Sequence, residues 1–456
     1  MKSMSLNAIA TAVGGKYYGD ESKLTQCVKG VAIDSRKVDK DYLFVPIKGA
    51  RVDGHDFIPQ IMENGALCTL SERVLENATF PYILVQSCKQ ALKDLAEYYR
   101  NALDIKVVGI SGSVGKTSTK EMIASVLSQK YNVLKTAGNF NNEIGLPLTI
   151  FNIRDEHQIA VLEMGISNFG EMHRLAKMAR PNLCVITNIG LCHLENLGDR
   201  DGVLRAKTEM FDYMQTDAKI VLNGDDDKLI TVKEVKGIKP KYFGLSDKLD
   251  AYADNVKSLS LKGTSCNIHI GGEVIDVVIP IPGHHMVYNA LAGAVVGKEM
   301  GLTTHEIKAG IEALTPVGGR NNLIETDSLM IIDDCYNANP VSVKASLDVL
   351  SLADSRKVAV LGDMFELGEN EKELHSQVGE YAAKQNIDLI ICIGALSQNT
   401  ACAAEKMGAN AIWFETKADF FAMAENLLKK DDAVLVKASN GMAFAEIVEK
   451  LQQIKL

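Results

Sequence analysis

One segment limits the possible folds more than any other: KVVGISGSVGKTSTKEM, residues 106–122. A β-branched strand over Ile105–Ile110 runs into a Gly/Ser loop, and a helix is predicted to begin near Thr117. A strand that turns directly into a helix through glycine is the opening unit of a layered α/β domain with a parallel sheet. Gly112 and Gly115 let the backbone approach phosphate and turn its N–H groups toward it, and the helix N-terminus adds positive potential. Lys116 brings a point charge for terminal phosphates, and Thr117 brings a hydroxyl for Mg²⁺. The phosphate-binding stretch is read as Ser111, Gly112, Ser113, Val114, Gly115, Lys116, Thr117 and Ser118. One departure stands out. The common spacing would put glycine at position 110, where this chain has Ile110, with glycines at 109 and 112 instead.

The same strand–helix alternation recurs downstream. MIID, KVAVLG, DLIICIG, AIWF and AVLVKA are each followed by a helical pattern, as expected for a parallel sheet covered on both faces. Between the two α/β stretches lies a β-rich patch, SLSLKGTSCNIHIGGEVIDVVIPI, where Gly271-Gly272 reads as a hairpin turn. Ahead of the phosphate loop, residues to about 86 mix short strands and turns. SCKQALKDLAEYYRNAL then places Ala91, Leu92, Leu95, Ala96 and Tyr99 on one helical face. The reading is an α/β chain of three domains. A small α/β N-terminal domain covers 1–86. A central, P-loop-type, mostly parallel sheet with the β-rich patch covers 87–314. A doubly wound Rossmann-like sheet covers 315–456.

Length agrees, since 456 residues at about 150 per domain suggests about three. Lys and Arg total 49 against 58 Asp and Glu, a net charge of −9 that argues against non-specific nucleic-acid binding. Nine cysteines, an odd number with no CxxC pair, suggest neither a disulfide framework nor a cysteine zinc site, and fit a reducing cytoplasm. No apolar run approaches membrane-spanning length, so no membrane insertion is expected.

Two residues stand just past predicted strand ends, where α/β sheets bind ligands. Glu163 follows QIAVL, and His193 follows CVITNIG. A carboxylate beside a phosphate loop suits Mg²⁺, and His193 gains interest from its matching position on another strand. Lys207, in a predicted helix, would be an ordinary solvated lysine on sequence physics alone.

Taken together, SGSVGKTSTK, GNFNNEIGLPLT, LEMG, ITNIGLCHLENLG, AKTEMF, HHMVYNALAGA, GGRNN, DDCYNANP and LGDMFELGE resemble the Mur ligase family over nearly the whole chain. That family adds amino acids or peptides to cell-wall precursors, coupling ATP cleavage to amide formation through an acyl phosphate. DDCYNANP and LGDMFELGE are similar to the member that joins D-alanyl-D-alanine to UDP-N-acetylmuramoyl-tripeptide. DSRKVDKDYLFVPIKGARVDGHDF is similar to the UDP-sugar domain shared with the sister ligase that adds the third amino acid.

The resemblance implies ATP and Mg²⁺, and roles residue by residue. Lys116 is the phosphate-loop lysine. Thr117, Glu163 and His193 are metal ligands, with Lys207 a fourth after carbamylation by CO₂. Asn289, Arg320, Asp334, Asn337 and Asn339 lie toward ATP. Ser35, Arg36 and Lys48 belong to the uridine-nucleotide segment, and Asn141 and Asn142 to a loop near ATP and the sugar-peptide. A monomer in the cytoplasm is implied as well. Other readings stand beside these. Arg320 would suit a linker turn, and Asn339 before Pro340 would suit a helix N-cap. Two departures from the family concern His285-Met286, where it often has His-Asn, and Lys437-Ala438-Ser439-Asn440, where it often has Lys-Gly-Ser-Arg. The sister ligase, or a P-loop ATPase without ligase chemistry, is the alternative function.

Overall fold

A computed structural model describes residues 2–49 and 52–456, so Ala50 and Arg51 of the N-terminal segment lie outside the described residues. The chain divides into two compact units. The first takes residues through Ser111, then Lys130–Val185 and Ala206–Ile220. The second takes Gly112–Gln129, Ile186–Arg205 and Val221–Leu456.

The first unit opens with a five-stranded sheet in the order Lys16–Tyr18, Tyr82–Leu84, Cys68–Ser71, Tyr42–Phe44, Gly30–Ala32. Its first pair is antiparallel and the rest are parallel. The helix Cys88–Asn101 follows, capped by Ser87. It buries the predicted face of Ala91, Leu92, Leu95, Ala96 and Tyr99. Arg100, at its last turn, is buried and donates to the carbonyls of Ala179 and Ile105, which ties the helix end to the strand that precedes the phosphate loop. That strand, Lys106–Ser111, pairs in parallel with Ile159–Glu163, which pairs in parallel with Val133–Lys135. The register sets Glu163 opposite Ile110, so its carboxylate stands level with the start of the loop. Gly109 lies inside this packing: a Cβ there would lie 2.6 Å from Met164 Cε, the end of a flexible side chain, and 3.3 Å from Pro181 Cβ.

In the second unit the helix Lys116–Leu127 packs along His285–Glu299 and Thr304–Glu312. The β-rich patch forms the predicted hairpin, Thr264–Ile270 with Glu273–Ile279. Gly271 and Gly272 both sit at positive φ, +59° and +79°, as a two-residue type I′ turn requires.

The last sheet runs in the order Asn322–Glu325, Leu329–Asp333, Asp432–Lys437, Lys357–Gly362, Leu389–Ile393, Ala411–Phe414. Five strands are parallel and correspond to the five apolar runs in the sequence. Their side chains alternate between two cores. Ile331, Val360, Ile391 and Val434 face one, and Ile332, Leu361, Cys392 and Leu435 face the other. The sixth strand, Asn322–Glu325, is an antiparallel edge that the sequence reading does not contain. Only half-buried, NLIE lacks the apolar run that marks its neighbours. Because Asp432–Lys437 lies between Leu329–Asp333 and Lys357–Gly362, the carboxyl ends of these three strands are adjacent, the place where such sheets bind ligands.

Candidate active site

The phosphate loop is held by the segment that follows the strand Leu183–Ile186. Ser113 N donates to Asn188 O at 3.1 Å and Val114 N to Asn188 Oδ1 at 2.9 Å. Thr187 Oγ1 and Asn188 Nδ2 both donate to Val114 O, at 2.7 and 3.0 Å. Gly190 N donates to Ser113 Oγ at 2.8 Å, and the Cys192 thiol reaches the same oxygen at 3.1 Å. Gly112 has φ +151°, and a Cβ there would fall 1.9 Å from Thr187 Oγ1, so no other residue fits. Gly115, at φ +81°, is the N-cap of Lys116–Leu127 and brings no side-chain oxygen to it. Lys116 Nζ donates back to the Gly112 and Ser113 carbonyls at 2.9 and 3.3 Å, folded over the loop it is expected to serve.

Asn289 meets the first turns of the helix that follows this loop. Its Oδ1 accepts from Thr119 Oγ1 at 2.8 Å, and its Nδ2 donates to Met286 Sδ at 3.2 Å. The His285-Met286 departure therefore has a local consequence, because the thioether takes the Asn289 amide. His285 is partly buried and contacts Asn321 Nδ2 through its Nε2 at 3.3 Å. Burial pushes its pKa below the usual imidazole value.

In the first unit Glu163 is 1% exposed. Its Oε1 accepts from Asn141 Nδ2 at 2.8 Å, and its backbone N donates to Thr136 Oγ1 at 2.9 Å. Gly165 N donates to the Asn141 carbonyl, and Asn142 Oδ1 caps the next turn by accepting from Ile144 N and Gly145 N. Neighbouring Glu143 is held by Lys93 at 2.9 Å and Arg174 at 2.6 Å. The loop of Asn141 and Asn142 is thus clipped to the strand end that carries Glu163. Lys207 lies on the helix Arg200–Thr208 and is 1% exposed, unlike the solvated lysine expected from helical sequence alone.

Ser35 and Arg36 share one short turn, where Arg36 makes a bidentate pair with Asp34. That pair and the Arg36 N–H hold the Asp34 carboxyl down to about 2. Lys48 stands apart on a backbone bridge to Asp53. Asp53 in turn accepts from buried His55, whose Nε2 accepts from Glu72 N at 3.1 Å and lies 4.0 Å from Cys88 Sγ. The set resembles a nucleophilic triad but is closed as one. The His55 nitrogen is already engaged, and burial pushes the Cys88 thiol far above its usual value.

Arg320 sits in a turn, its N–H donating to Val317 O, and its guanidinium lies 4.0 Å over the Tyr336 ring. The turn is fastened to DDCY by Gly319 N to Asp333 Oδ2 at 2.7 Å, Asn321 N to Asp334 Oδ1 at 3.2 Å, and Tyr336 N to Gly319 O at 3.0 Å. Asp334 is engaged on both oxygens, since Oδ2 also accepts from Ser346 Oγ and Lys437 Nζ, each at 2.5 Å. Asn337 accepts Asn440 N on Oδ1 and Lys437 Nζ on its carbonyl. Asn339 is the N-cap of Pro340–Ser351 in a capping box with Ser342. Thus Arg320 is presented by this framework, while Asp334, Asn337 and Asn339 build it. Sequence reading passes over Tyr336 and Ser346 and gives Lys437 no role. No signal along the chain reveals which side chains meet at the ends of strands more than a hundred residues apart.

His193 opens the short helix Leu194–Leu197 at φ +51°. Its Nδ1 is 3.1 Å from Glu366 Oε2. Among the described residues no three His, Cys, Asp or Glu side chains form a metal-binding group, and no helix is long and apolar enough to cross a membrane.

Family comparisons cover most of the chain. Residues 27–100 match the Mur ligase family catalytic domain, 110–297 the Mur ligase middle domain, and 319–440 the Mur ligase glutamate ligase domain. The UDP-N-acetylmuramoyl-tripeptide–D-alanyl-D-alanine ligase of Bacillus subtilis is 37% identical over 99% of both chains. The chain belongs to the Mur ligase family. Two solved Mur ligases extend the likeness to three dimensions. MurF from Acinetobacter baumannii superposes with a TM-score of 0.92 at 30% identity, covering 100% of both chains. MurF from Thermotoga maritima, solved in complex with ADP, gives 0.83 at 30% identity over 93% of this chain and 97% of its own. The phosphate loop, Asn289 and Arg320 lie within the matched Mur ligase segments.

Proposed function

We propose that this chain joins D-alanyl-D-alanine to UDP-N-acetylmuramoyl-tripeptide, with ATP cleaved to ADP and phosphate, as a cytoplasmic monomer in peptidoglycan precursor synthesis. The observation that carries this reading is the full-length likeness to the Bacillus subtilis ligase. The phosphate loop supplies chemistry that agrees with it. The tripeptide carboxylate attacks the γ-phosphorus of ATP, the bond to the bridging oxygen breaks, and ADP leaves. The amine of the dipeptide attacks the acyl carbon and loses a proton, phosphate departs with the bonding pair, and an amide remains. Lys116 steadies negative charge on the transferring group. Arg320, aimed by its Tyr336 stack, is assigned to the phosphate side. Residues 1–86 are assigned to the UDP-sugar, with Ser35, Arg36 and Lys48 toward the nucleotide. Residues 87–314 are assigned to ATP, and 315–456 to completing the ligase site.

The donor types fit Mg²⁺. Thr117 and Glu163 are hard oxygen donors, and both are buried. Among the described residues no group of three acidic, cysteine or histidine side chains is ready-made, and Mg²⁺ takes more oxygens than these two supply. A carbamate on Lys207 and the nucleotide phosphates would bring them. Thr117, Glu163, His193 and carbamylated Lys207 would hold the ion. When bound, Mg²⁺ neutralises charge on the phosphoryl group in transfer.

Phosphate release is expected to need ATP, the UDP-tripeptide and D-alanyl-D-alanine together, with a product heavier than the tripeptide precursor by the dipeptide less water. Mass detection with each substrate omitted in turn checks this. Turnover indifferent to both peptide substrates returns a bare ATPase, and turnover with a free amino acid on the dipeptide precursor returns the sister ligase. Tyr336→Leu should raise the KM for ATP about two- to fivefold while Tyr336→Phe stays near wild type, because a cation–π stack at an accessible site contributes about 0.5–1 kcal/mol. An ATP titration of the three proteins reads this directly.

A further inference from the structure

Four parallel strands of the five-stranded sheet, Gly30–Ala32, Tyr42–Phe44, Cys68–Ser71 and Tyr82–Leu84, end along one edge, the edge at which α/β sheets take ligands. Ser35 and Arg36 follow the first of these strands, and exposed Lys48 follows the second. Beyond Lys48 the chain turns back and returns at Asp53. Gly49 N donates to Val52 O at 2.9 Å and Gly54 N to Ile47 O at 3.2 Å, one on each side of the bridge between Lys48 and Asp53. Gly54 permits this close return, since a Cβ there would lie 2.8 Å from Ile47 N.

His55 fastens the returning arm from the interior, its side chain 3% exposed. Its Nε2 accepts from Glu72 N at 3.1 Å. A peptide N–H can only donate, so Nε2 carries no proton and Nδ1 does. The Nδ1–H donates to Asp53 Oδ1 at 2.7 Å, the oxygen that also accepts His55 N at 3.0 Å. The backbone bond first, and then the ring, hold the Asp53 carboxyl below its usual range. Glu72 directly follows the buried strand Cys68–Ser71, and its Oε1 accepts Cys88 N at the head of the helix Cys88–Asn101. Lys48 is therefore tied through Asp53 and the imidazole to a strand end and a helix start. Capping the turn Gly54–Phe57 needs only the Asp53 carboxylate and His55 N; it does not need the ring.

We infer that His55 is a positioning residue for Lys48: it clamps the hairpin of residues 48–53 to the strand end at Glu72 and so holds the Lys48 ammonium at the sheet edge for the anionic diphosphate of the UDP-sugar. This rests on the reading of residues 1–86 as the UDP-sugar segment. A lysine on an unfastened hairpin would have to be ordered when the anion binds, and that cost is subtracted from affinity. Asp53→Asn and His55→Asn each keep a hydrogen bond between the two side chains. Asp53→Ala and His55→Phe break it, the second while retaining a buried ring.

The test is binding of UDP-N-acetylmuramoyl-tripeptide to the full-length protein, with Mg²⁺ and a non-hydrolysable ATP analogue present, read by titration calorimetry. Lys48→Ala should weaken binding about tenfold, the scale of one lost hydrogen bond to a charged group. Asp53→Ala and His55→Phe should weaken it about fivefold, and the two asparagine variants should stay within about twofold of wild type. The decisive protein combines Lys48→Ala with Asp53→Ala. A clamp that acts through Lys48 leaves this double variant near the tenfold loss of Lys48→Ala alone, whereas independent effects multiply to about fiftyfold. A general loss of stability would not produce that pattern, and affinity for the ATP analogue should be unchanged throughout. Long-range ¹H–¹⁵N spectra of ¹⁵N-histidine protein, with the signal assigned by its loss in His55→Asn, should show the Nδ1–H form. Multiplying effects in the double variant, an Nε2–H ring in wild type, or Asp53→Ala binding like wild type while Lys48→Ala is weakened overturns the inference alone. A wild type that does not bind the UDP-sugar, or Lys48→Ala binding it as well as wild type, overturns the reading of this segment and the inference with it.

Discussion

Lys207→Ala should lower ligation by about 10²–10³-fold, the usual scale for removing one preorganised group that stabilises charge in the transition state. Burial is the reason to expect so much from a helix lysine. At 1% exposure it is placed among the fixed groups of the interior, where a change of charge is felt far more strongly than on a solvated face. Reaction of the neutral amine with CO₂, with loss of a proton, replaces a cation by an anion bearing two oxygens. That change would suit the Mg²⁺-holding role proposed for Lys207. Short-chain carboxylic acids should partly restore Lys207→Ala by supplying those oxygens, while Lys207→Arg, which keeps the charge and cannot form a carbamate, should stay inactive. Incubation with ¹³CO₂ should give a carbamate carbon resonance in wild type that is absent from the alanine variant. An alanine variant that folds normally and ligates at the wild-type rate removes Lys207 from the chemistry.

The second large effect is on stability. Lys437→Ala should destabilise the sheet of residues 322–456 by about 3–5 kcal/mol, the typical result of leaving one member of a buried ion pair alone. Lys437 is 3% exposed, and it joins Asp334 Oδ2 at 2.5 Å and the carbonyls of Asp334 and Asn337. Asp334 also carries the Arg320 turn through Asn321 N, so the loss should reach that turn. Hydrogen exchange, which resolves segments in a chain that need not unfold in one step, should show faster exchange at 317–321, 333–337 and 432–440. Joint replacement of Lys437 by Met and Asp334 by Leu should recover much of the stability without the network, because no buried charge is then left unpaired. Wild-type exchange in Lys437→Ala would show that the pair contributes nothing to holding the turn.

What can be read from the chain and what cannot follows the range of the interactions involved. GSVGKTS announces its own conformation, since positive φ at Gly112 and Gly115 and a helix starting at Lys116 are local matters. The five apolar strands of the last sheet are equally plain, because strands covered on both faces need uninterrupted apolar residues. Asn339 before Pro340 reads directly as a helix cap and is one. Harder cases begin where one residue serves two ends. Gly109 looks like a displaced phosphate-loop glycine along the chain, while in the fold it sits on the buried strand Lys106–Ser111, packed toward Met164 and Pro181. The edge strand Asn322–Glu325 is invisible because its pairing, not its composition, makes it a strand.

The alternation of strands and helices, the phosphate loop, and the motifs that place the chain among the Mur ligases are all carried by short stretches and can be read along the chain. Only the assembled fold buries Lys207, sets Asp334 against Lys437 and brings Glu366 to His193. Each of these depends on chain segments brought together by sheet order and register. A pairwise contact between residues 103 or 173 positions apart leaves no mark on the local periodicity or propensity of either partner.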